Sequence, residues 1–474
     1  MQPSLGQIIQ HLFDIQIIRH HYHLLRLIIA LALPKLLRAI NEKMDARKHE
    51  HEVYDVSIDM EKLADSLSGE LESLHPLARE CSIYRVPEAT RCFHPSHFAP
   101  RMVSIGPFHH GKEELKAMEE HKKRYLKCFL QRTKVRVASF LVFIKAREAE
   151  LRNCYAEAIH LESDEFIKMV LVDAVFLIEF FLKYYQRNLR TNEDPIFGKS
   201  FLYDDVKLEI LLLENQLPLF IPNDLFNLAK TATFETNLYE EISFMTITCF
   251  WFRNCIVGYL PIQENLLELN FSKAKHFVDL LILCLQPSQS RADIALKDPN
   301  IPIVKELHQA GVKFKPGSSK NLLDIKFNEG ILEIPFLTVY GSTERLYRNV
   351  LAFERMHCYT RYLNDYIIMM NYLVSTSKDA ELLLQNEIIG LGNTEAVPTL
   401  FHNLDKGCAI NYYDFQYSGI ITDLQAYCKL PWHQWKATLK QNYFNTPWAS
   451  ISVIAAVILL LLTSIQTVCS LIAL

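Results

Sequence analysis

Three groups of residues in this chain carry side chains able to do chemistry. The first is rich in histidine: His109, His110 and His121, with Arg124 and Tyr125 close behind, a set suited to an anion or a metal. Metal sites usually add cysteine or carboxylate partners at a fixed short spacing, and none accompanies these three, so turn and helix-start roles are expected. The second group is Asp173 and Glu179, inside the apolar run Phe166 to Tyr185. Six residues apart on a helix they point to different faces, which excludes a paired-carboxylate acid–base site. A buried carboxylate is costly unless paired or hydrogen-bonded, so each is expected to meet an arginine, a lysine or a backbone donor. The third group, Glu214-Asn215-Gln216, interrupts the apolar stretch Ile210 to Phe220 just ahead of Pro218. Pro218 disfavours helical geometry at Leu217, which places the triplet in the last turn of a helix, its amides satisfying orphan backbone groups. Recognition of a ligand is the competing reading.

Familiar catalytic patterns are missing. The sequence contains no Gly-x-Ser-x-Gly, no P-loop and no His-Glu-x-x-His, the short motifs that mark hydrolases, nucleotide binders and zinc proteases. Basic residues from Lys122 to Arg136 are offset by Glu113, Glu114, Glu119 and Glu120. They read as a solvated helix face, and no nucleic acid is expected. The 11 cysteines are scattered without a Cys-x-x-Cys pair, pointing to reduced thiols in a cytosol-facing domain rather than a disulfide or zinc framework. The expectation is therefore no catalytic, cofactor-binding or metal-binding residue, no cofactor, and a protein that is not an enzyme.

The elements that would hold these residues follow from composition and period. Half of the 474 residues are apolar, 22% are charged and the net charge is −4, an ordinary globular balance with no strong field for polyanions. Only 14 glycines occur, too few for a Gly-rich nucleotide fold or a turn-dense β protein. Residues 8–40 are apolar and basic, with His20, His21, His23 and Arg26, and suggest an amphipathic helix; residues 41–55 read as a solvated linker. Prolines and glycines between Ile83 and Gly111 demand an extended, turn-rich segment, followed by a helix over Glu113 to Arg132. Alternation from Leu322 to Val339 around Asn328-Glu329-Gly330 predicts a β-hairpin, with Pro335 at an edge or bulge. From Gln441 to Leu474 there is no charged side chain. About 40 Å of helix from Trp448 onward suits a bilayer crossing, and Trp432, Trp435, Tyr443, Phe444 and Trp448 suit its interface. Lys429, Lys436 and Lys440 on the near side incline the domain to the cytosol.

Several motifs in order resemble one family. Ile83-x-Arg85-Val86-Pro87, Val103-Ser-Ile-Gly-Pro-Phe-His-His-Gly111 and Met118-Glu119-x-His121-Lys122-x-Arg124-Tyr125 open the series. Asp173-Ala-Val-Phe-Leu-Ile-Glu179, Leu213-Glu-Asn-Gln-Leu-Pro218, Asn349-Val-Leu-Ala-Phe-Glu354 and Tyr443-Phe-x-x-Pro447-Trp448 complete it. Together they resemble the plant domain-of-unknown-function 247 family, also called UPF0481 proteins, from about residue 83 to the C-terminus. Ile388-Ile-Gly-Leu-Gly392 is shortened relative to that pattern, and the first 80 or so residues are atypical. The resemblance implies one C-terminal membrane helix and no established catalysis; some grass members are implicated in self-incompatibility, which implies recognition.

The expected fold is mainly α: a large helical domain, a small antiparallel β-hairpin element and one C-terminal transmembrane helix. Residues 1–80 form an N-terminal extension and linker, 81–440 the helical domain, and 441–474 the membrane-proximal segment and span. The expected role is that of a membrane-tethered plant protein, single-pass at the plasma membrane, that binds protein partners or itself. The alternative is a membrane-associated enzyme with a pocket near His121 and Glu214.

Overall fold

The apolar run that contains Asp173 and Glu179 becomes the central helix of the body. In the computed structural model, residues 52–73, 81–430 and 447–472 are described, together with 35 and 38 and apart from 93, 199, 233–241, 290–293, 299, 359 and 391–394. The chain divides into two units, Met1–Pro76 and Leu77–Leu474. In the first unit, helix α1 (Glu52–Ser73) exposes Met60, Leu63, Leu67 and Leu71. Their spacing of three and four residues makes one apolar stripe. The helix expected over residues 8–40, apart from Lys35 and Arg38, lies outside the described residues, as do Trp432, Trp435, Tyr443 and Phe444.

The second unit begins with the extended, proline-rich segment and then turns helical. Its first long helices are α2 (Lys116–Thr133), α3 (Val137–Lys145), α4 (Ser163–Tyr185), α5 (Ser200–Glu209), α6 (Phe220–Ala232) and α7 (Phe244–Cys255). Helix α4 is apolar almost all round and is buried from Phe166 to Lys183 with few breaks, because α2, α3, α6 and α7 all pack on it. A helix that is hydrophobic on every side must be covered on every side. Aromatic rings fill the joints: Phe181 meets Trp251 edge-on at 5.1 Å and Phe277 at 5.4 Å, geometries that ring quadrupoles favour.

The second half adds α8 (Phe277–Cys284), α9 (Val304–Ala310), α10 (Thr343–His357), α11 (Tyr362–Leu373), α12 (Ser377–Gln385), α13 (Ala396–Asp405) and α14 (Ser418–Lys429). Helix α8 packs on α10, and α11 on α13. Between α9 and α10 lies a small sheet of order β1-β3-β2, with β1 Lys313–Pro316, β2 Lys326–Asn328 and β3 Ile331–Ile334. The antiparallel β2–β3 hairpin is present, turning through Glu329 and Gly330 with φ of 48° and 78°. That pair of positive φ values is the tight hairpin turn whose twist matches the strands. Two corrections apply. The element is a three-stranded mixed sheet, because β1 adds in parallel to β3, and residues 322–325 turn instead of extending: the side chain of Asn321 accepts the Leu323 N–H and Asp324 accepts the Ser288 N–H.

The third correction concerns the C-terminus. A helix α15 does run from Pro447 to Ile472, but among the described residues no helix is long and apolar enough to cross a membrane. The stretch free of polar side chains extends from Val453 to Leu462, about 15 Å of helix against a hydrocarbon core of about 30 Å. Beyond it, the hydroxyls of Thr463, Ser464 and Thr467 each donate to the carbonyl four residues earlier. The expected transmembrane helix is not supported.

Candidate functional site

The segment from Cys81 to Gly111 has few neighbours of its own kind to bond with. Its prolines, at 87, 95, 100 and 107, remove donors, and three of them open or precede single helical turns at Glu88–Arg91, Pro95–His97 and Pro107–His109 that cannot grow into a long helix. Only its start is sheet-like, where Ser82 and Ile83 donate to the Cys154 carbonyl at 3.1 and 3.0 Å. A buried backbone amide without a partner is costly, so side chains from the helical body must satisfy the remainder. Three of the residues singled out for chemistry, Asp173, Glu214 and Asn215, are among those that do this.

Glu209, at the end of α5, accepts three successive amides: Arg101 at 2.6 Å, Met102 at 2.9 Å and Val103 at 2.8 Å. Asn215 reads the next residues in both directions, accepting from Ile105 N–H at 2.7 Å and donating to the Val103 and Glu209 carbonyls, each at 3.0 Å. Asp173 on α4 accepts the Gly106 amide at 2.8 Å and pairs with Lys122, whose ammonium also donates to the Ser104 carbonyl at 2.8 Å. Glu214 accepts the Val86 amide at 2.8 Å, pairs with Arg91, and touches His109 Nε2 at 3.1 Å. From α10, Asn349 donates to the His97 carbonyl at 2.9 Å and accepts from Leu213 N–H at 2.9 Å. Arg345 donates to the Ala99 carbonyl at 2.8 Å.

Gly106 is where the segment comes closest to the body. Its φ is +76°, and a Cβ there would lie 2.4 Å from the Gln216 carbonyl oxygen. Gln216 itself donates to the Ile210 and Leu212 carbonyls at 2.6 and 2.8 Å and accepts from Phe277 N–H at 3.1 Å. The triplet therefore does satisfy orphan carbonyls after a helix. The helix ends earlier than expected, at Glu209, and the triplet stands in the turn that follows.

Electrostatics fit an interior clamp. Asp173, Lys122, Glu214 and His109 are all buried. Burial pushes the Asp173 carboxyl above the usual range, with Lys122 opposing that shift. Burial likewise lowers the His109 imidazole, with Glu214 opposing. Taking such charges from water is offset only where partners and geometry are complete. Glu179 is buried and paired with Arg132, so the two buried carboxylates of α4, Asp173 and Glu179, find the cationic partners expected of them. Neither faces the other.

The remaining expected residues are elsewhere. His110 lies 3.6 Å from Glu165. His121 is half-buried and sits 3.0 Å from Arg124. Tyr125 donates to Asp194, which also pairs with Lys183. Glu214 is thus grouped with His109 and Arg91, whereas His121 is paired with Arg124. Sequence reasoning overlooked Glu209 and Arg91, and its assignment of Lys122 to a solvated face is corrected, since that side chain is fully buried on Asp173; Glu209 had a legible signal, a lone carboxylate in the run Leu208 to Leu213.

Open features lie away from the clamp. A cavity of about 300 Å³ is lined in part by Lys275, Asp279, Glu354, His357 and Cys358. Burial pushes the Cys358 thiol up to about 12, the opposite of an activated nucleophile. A wider groove of about 540 Å³ runs between α3 and the start of α4, lined by Leu141, Val142, Ala146 and Ile167 and rimmed by Lys145, Asp164 and Lys168. Among the described residues, one group combines metal-ligating types within reach of one another: His94, His97 and Glu344.

Fold and clamp define a mainly helical protein built around a captured proline-rich segment, its polar motifs committed to that capture. The chain belongs to the plant protein family of unknown function, domain-of-unknown-function 247, whose family model matches residues 83–462. It is similar to a UPF0481 protein of Arabidopsis thaliana, 28% identical over 420 residues that cover 82% of this chain and 85% of that protein. A second relative, a putative UPF0481 protein of the same plant, is 24% identical over 506 residues, covering 85% of this chain and 92% of its own. No solved structure matches the chain.

Proposed function

We propose that this protein works as an interaction module, recognising a protein partner through the groove between α3 and α4 rather than turning over a substrate. The observation that carries the reading is the state of α3. Its sequence Val-Ala-Ser-Phe-Leu-Val-Phe-Ile-Lys is apolar apart from Ser139 and Lys145, yet only Phe140 and Ile144 are buried and Val142 is 69% exposed. An apolar face left in water beside a groove is the usual mark of a binding surface. The clamp residues support the same reading, since their hydrogen bonds go to the captured segment.

The occupant is an amphipathic helix of another protein, with apolar side chains at i, i+3 and i+4 for the groove and a carboxylate to meet Lys168 at its rim, Lys145 being already paired with Glu148. A photo-crosslinking residue placed at Val142 in the full chain tests this, with the trapped peptide identified by mass spectrometry. The expected product contains an acidic amphipathic helix, and Val142→Arg abolishes its formation. Crosslinks confined to a second copy of this chain or to lipid, or a product that Val142→Arg leaves unchanged, would overturn the proposal.

A further inference from the structure

Away from the groove, we infer that His94, His97 and Glu344 form a binding site for a divalent transition-metal ion, zinc being the best match to the donor set. The three donor atoms lie within 4.8 Å of one another. Donors around a tetrahedral zinc stand roughly 3.4 Å apart, so side-chain rotations of about 1 Å close the set.

The local backbone explains why two histidines meet. Residues 95–97 form one turn of 3-10 helix, started by Pro95, and in that geometry positions i and i+3 lie one above the other. His94 and His97 accordingly stack with ring centroids 5.1 Å apart. The turn is fixed to α10 by the Asn349 bond to the His97 carbonyl, 2.9 Å. Glu344 stands in the first turn of that same helix.

Two further observations point to a ligand. The Nδ1 of His97 is shielded from solvent and has no hydrogen-bond partner, although a buried ring nitrogen is ordinarily satisfied. On Glu344, the Oε1 atom accepts both the Nε and Nη2 of Arg348, at 2.9 and 2.7 Å, while Arg348 Nη2 also reaches the Asn403 carbonyl at 2.9 Å. The carboxylate is thereby oriented from behind, as outer partners orient metal ligands, and its other oxygen remains for the ion.

Arg348 and Lys406 also set a limit. Their positive charge opposes a cation, and two neutral imidazoles with one carboxylate leave a divalent ion with a net charge of about plus one. An anionic fourth ligand such as hydroxide or a carboxylate completes such a site. Three protein ligands with one open position is the pattern of reactive zinc centres rather than closed structural ones.

The test uses metal-stripped full-length protein titrated with Co²⁺ and followed by its visible d–d absorption. About one equivalent binds with nitrogen and oxygen bands and no thiolate charge-transfer band, which separates the site from the cysteine thiols. The variant H94A/H97A loses that equivalent, and E344Q weakens it by at least about tenfold, the scale set by even outer-sphere losses. Circular dichroism confirms that the variants fold. As a second readout, Zn²⁺ raises the melting temperature of the native chain and not of H94A/H97A. No saturable binding, an equivalent that survives H94A/H97A, or a thiolate band would each overturn the assignment.

Discussion

Glu209 satisfies three consecutive amides with one carboxylate, so it concentrates more of the clamp than any other single side chain described above. Glu209→Ala leaves those donors buried and unbonded and is expected to cost about 3–5 kcal/mol. Glu209→Gln keeps one acceptor and should cost less. Urea denaturation measures both, and a loss below about 1 kcal/mol for the alanine variant would contradict the clamp. His276 supplies a pH test. Its Nε2 donates to the Ser82 carbonyl at 3.0 Å and its Nδ1 accepts the Asp279 amide at 3.3 Å, which requires a neutral ring. Burial pushes this histidine down to about 3 from an ordinary 6.5. The folded value lies below the unfolded one, so the unfolded chain takes the proton first as pH falls. Stability is intact above about pH 6.5 and declines towards about pH 3, by roughly 1.4 kcal/mol per pH unit for this group. Glu354, raised by burial to about 7, acts in the opposite sense, so the measurement is a difference between two chains. His276→Asn keeps the helix-capping acceptor and should flatten the acid slope relative to the native protein; identical slopes would remove His276 from the account.

At the scale of elements, the seat of the captured segment depends on Gly106. A side chain there combines a backbone conformation reserved for glycine with a collision against the Gln216 carbonyl. Gly106→Ala should destabilise by about 2 kcal/mol or more, read as a shift in denaturation midpoint. How far each element was legible in the sequence depended on whether its cause was local. The hydrophobic run around Asp173 announced a buried helix, and the prolines from Pro87 to Pro107 announced an extended stretch. The hairpin turn was visible in Glu329-Gly330. The parallel strand β1 was not, because its partner β3 is remote in sequence and Lys313 to Pro316 alone has no strand pattern. The clamp itself was hidden for the same reason: nothing local tells Glu209 that it will meet residues 101–103. His94 and His97 stand in a proline turn with no ligand pattern of their own, since the third donor comes from residue 344.

For the whole molecule, every partner in the clamp belongs to the unit Leu77–Leu474. A chain lacking residues 1–76 should therefore fold and keep its unfolding free energy, from urea denaturation, within about 0.5 kcal/mol. A large loss would assign the first unit a structural duty. The C-terminal helix shows the limit of reading apolarity by length alone, since hydroxyl and amide side chains from Thr463 to Thr467 break a run that looked continuous.

The captured segment also has a history in time. Its residues leave the ribosome well before the groups that hold them: Val86 precedes Glu214 by 128 positions, and His97 precedes Asn349 by 252. At about 5–20 residues per second, the second interval lasts roughly 13–50 s. Until Glu209 and Asn215 emerge, 108 and 110 residues later, the amides of Arg101 and Ile105 lack their clamp acceptors and stay with water or a chaperone. The last stitch cannot close until α10 has emerged, so the nascent chain stays open until late in synthesis.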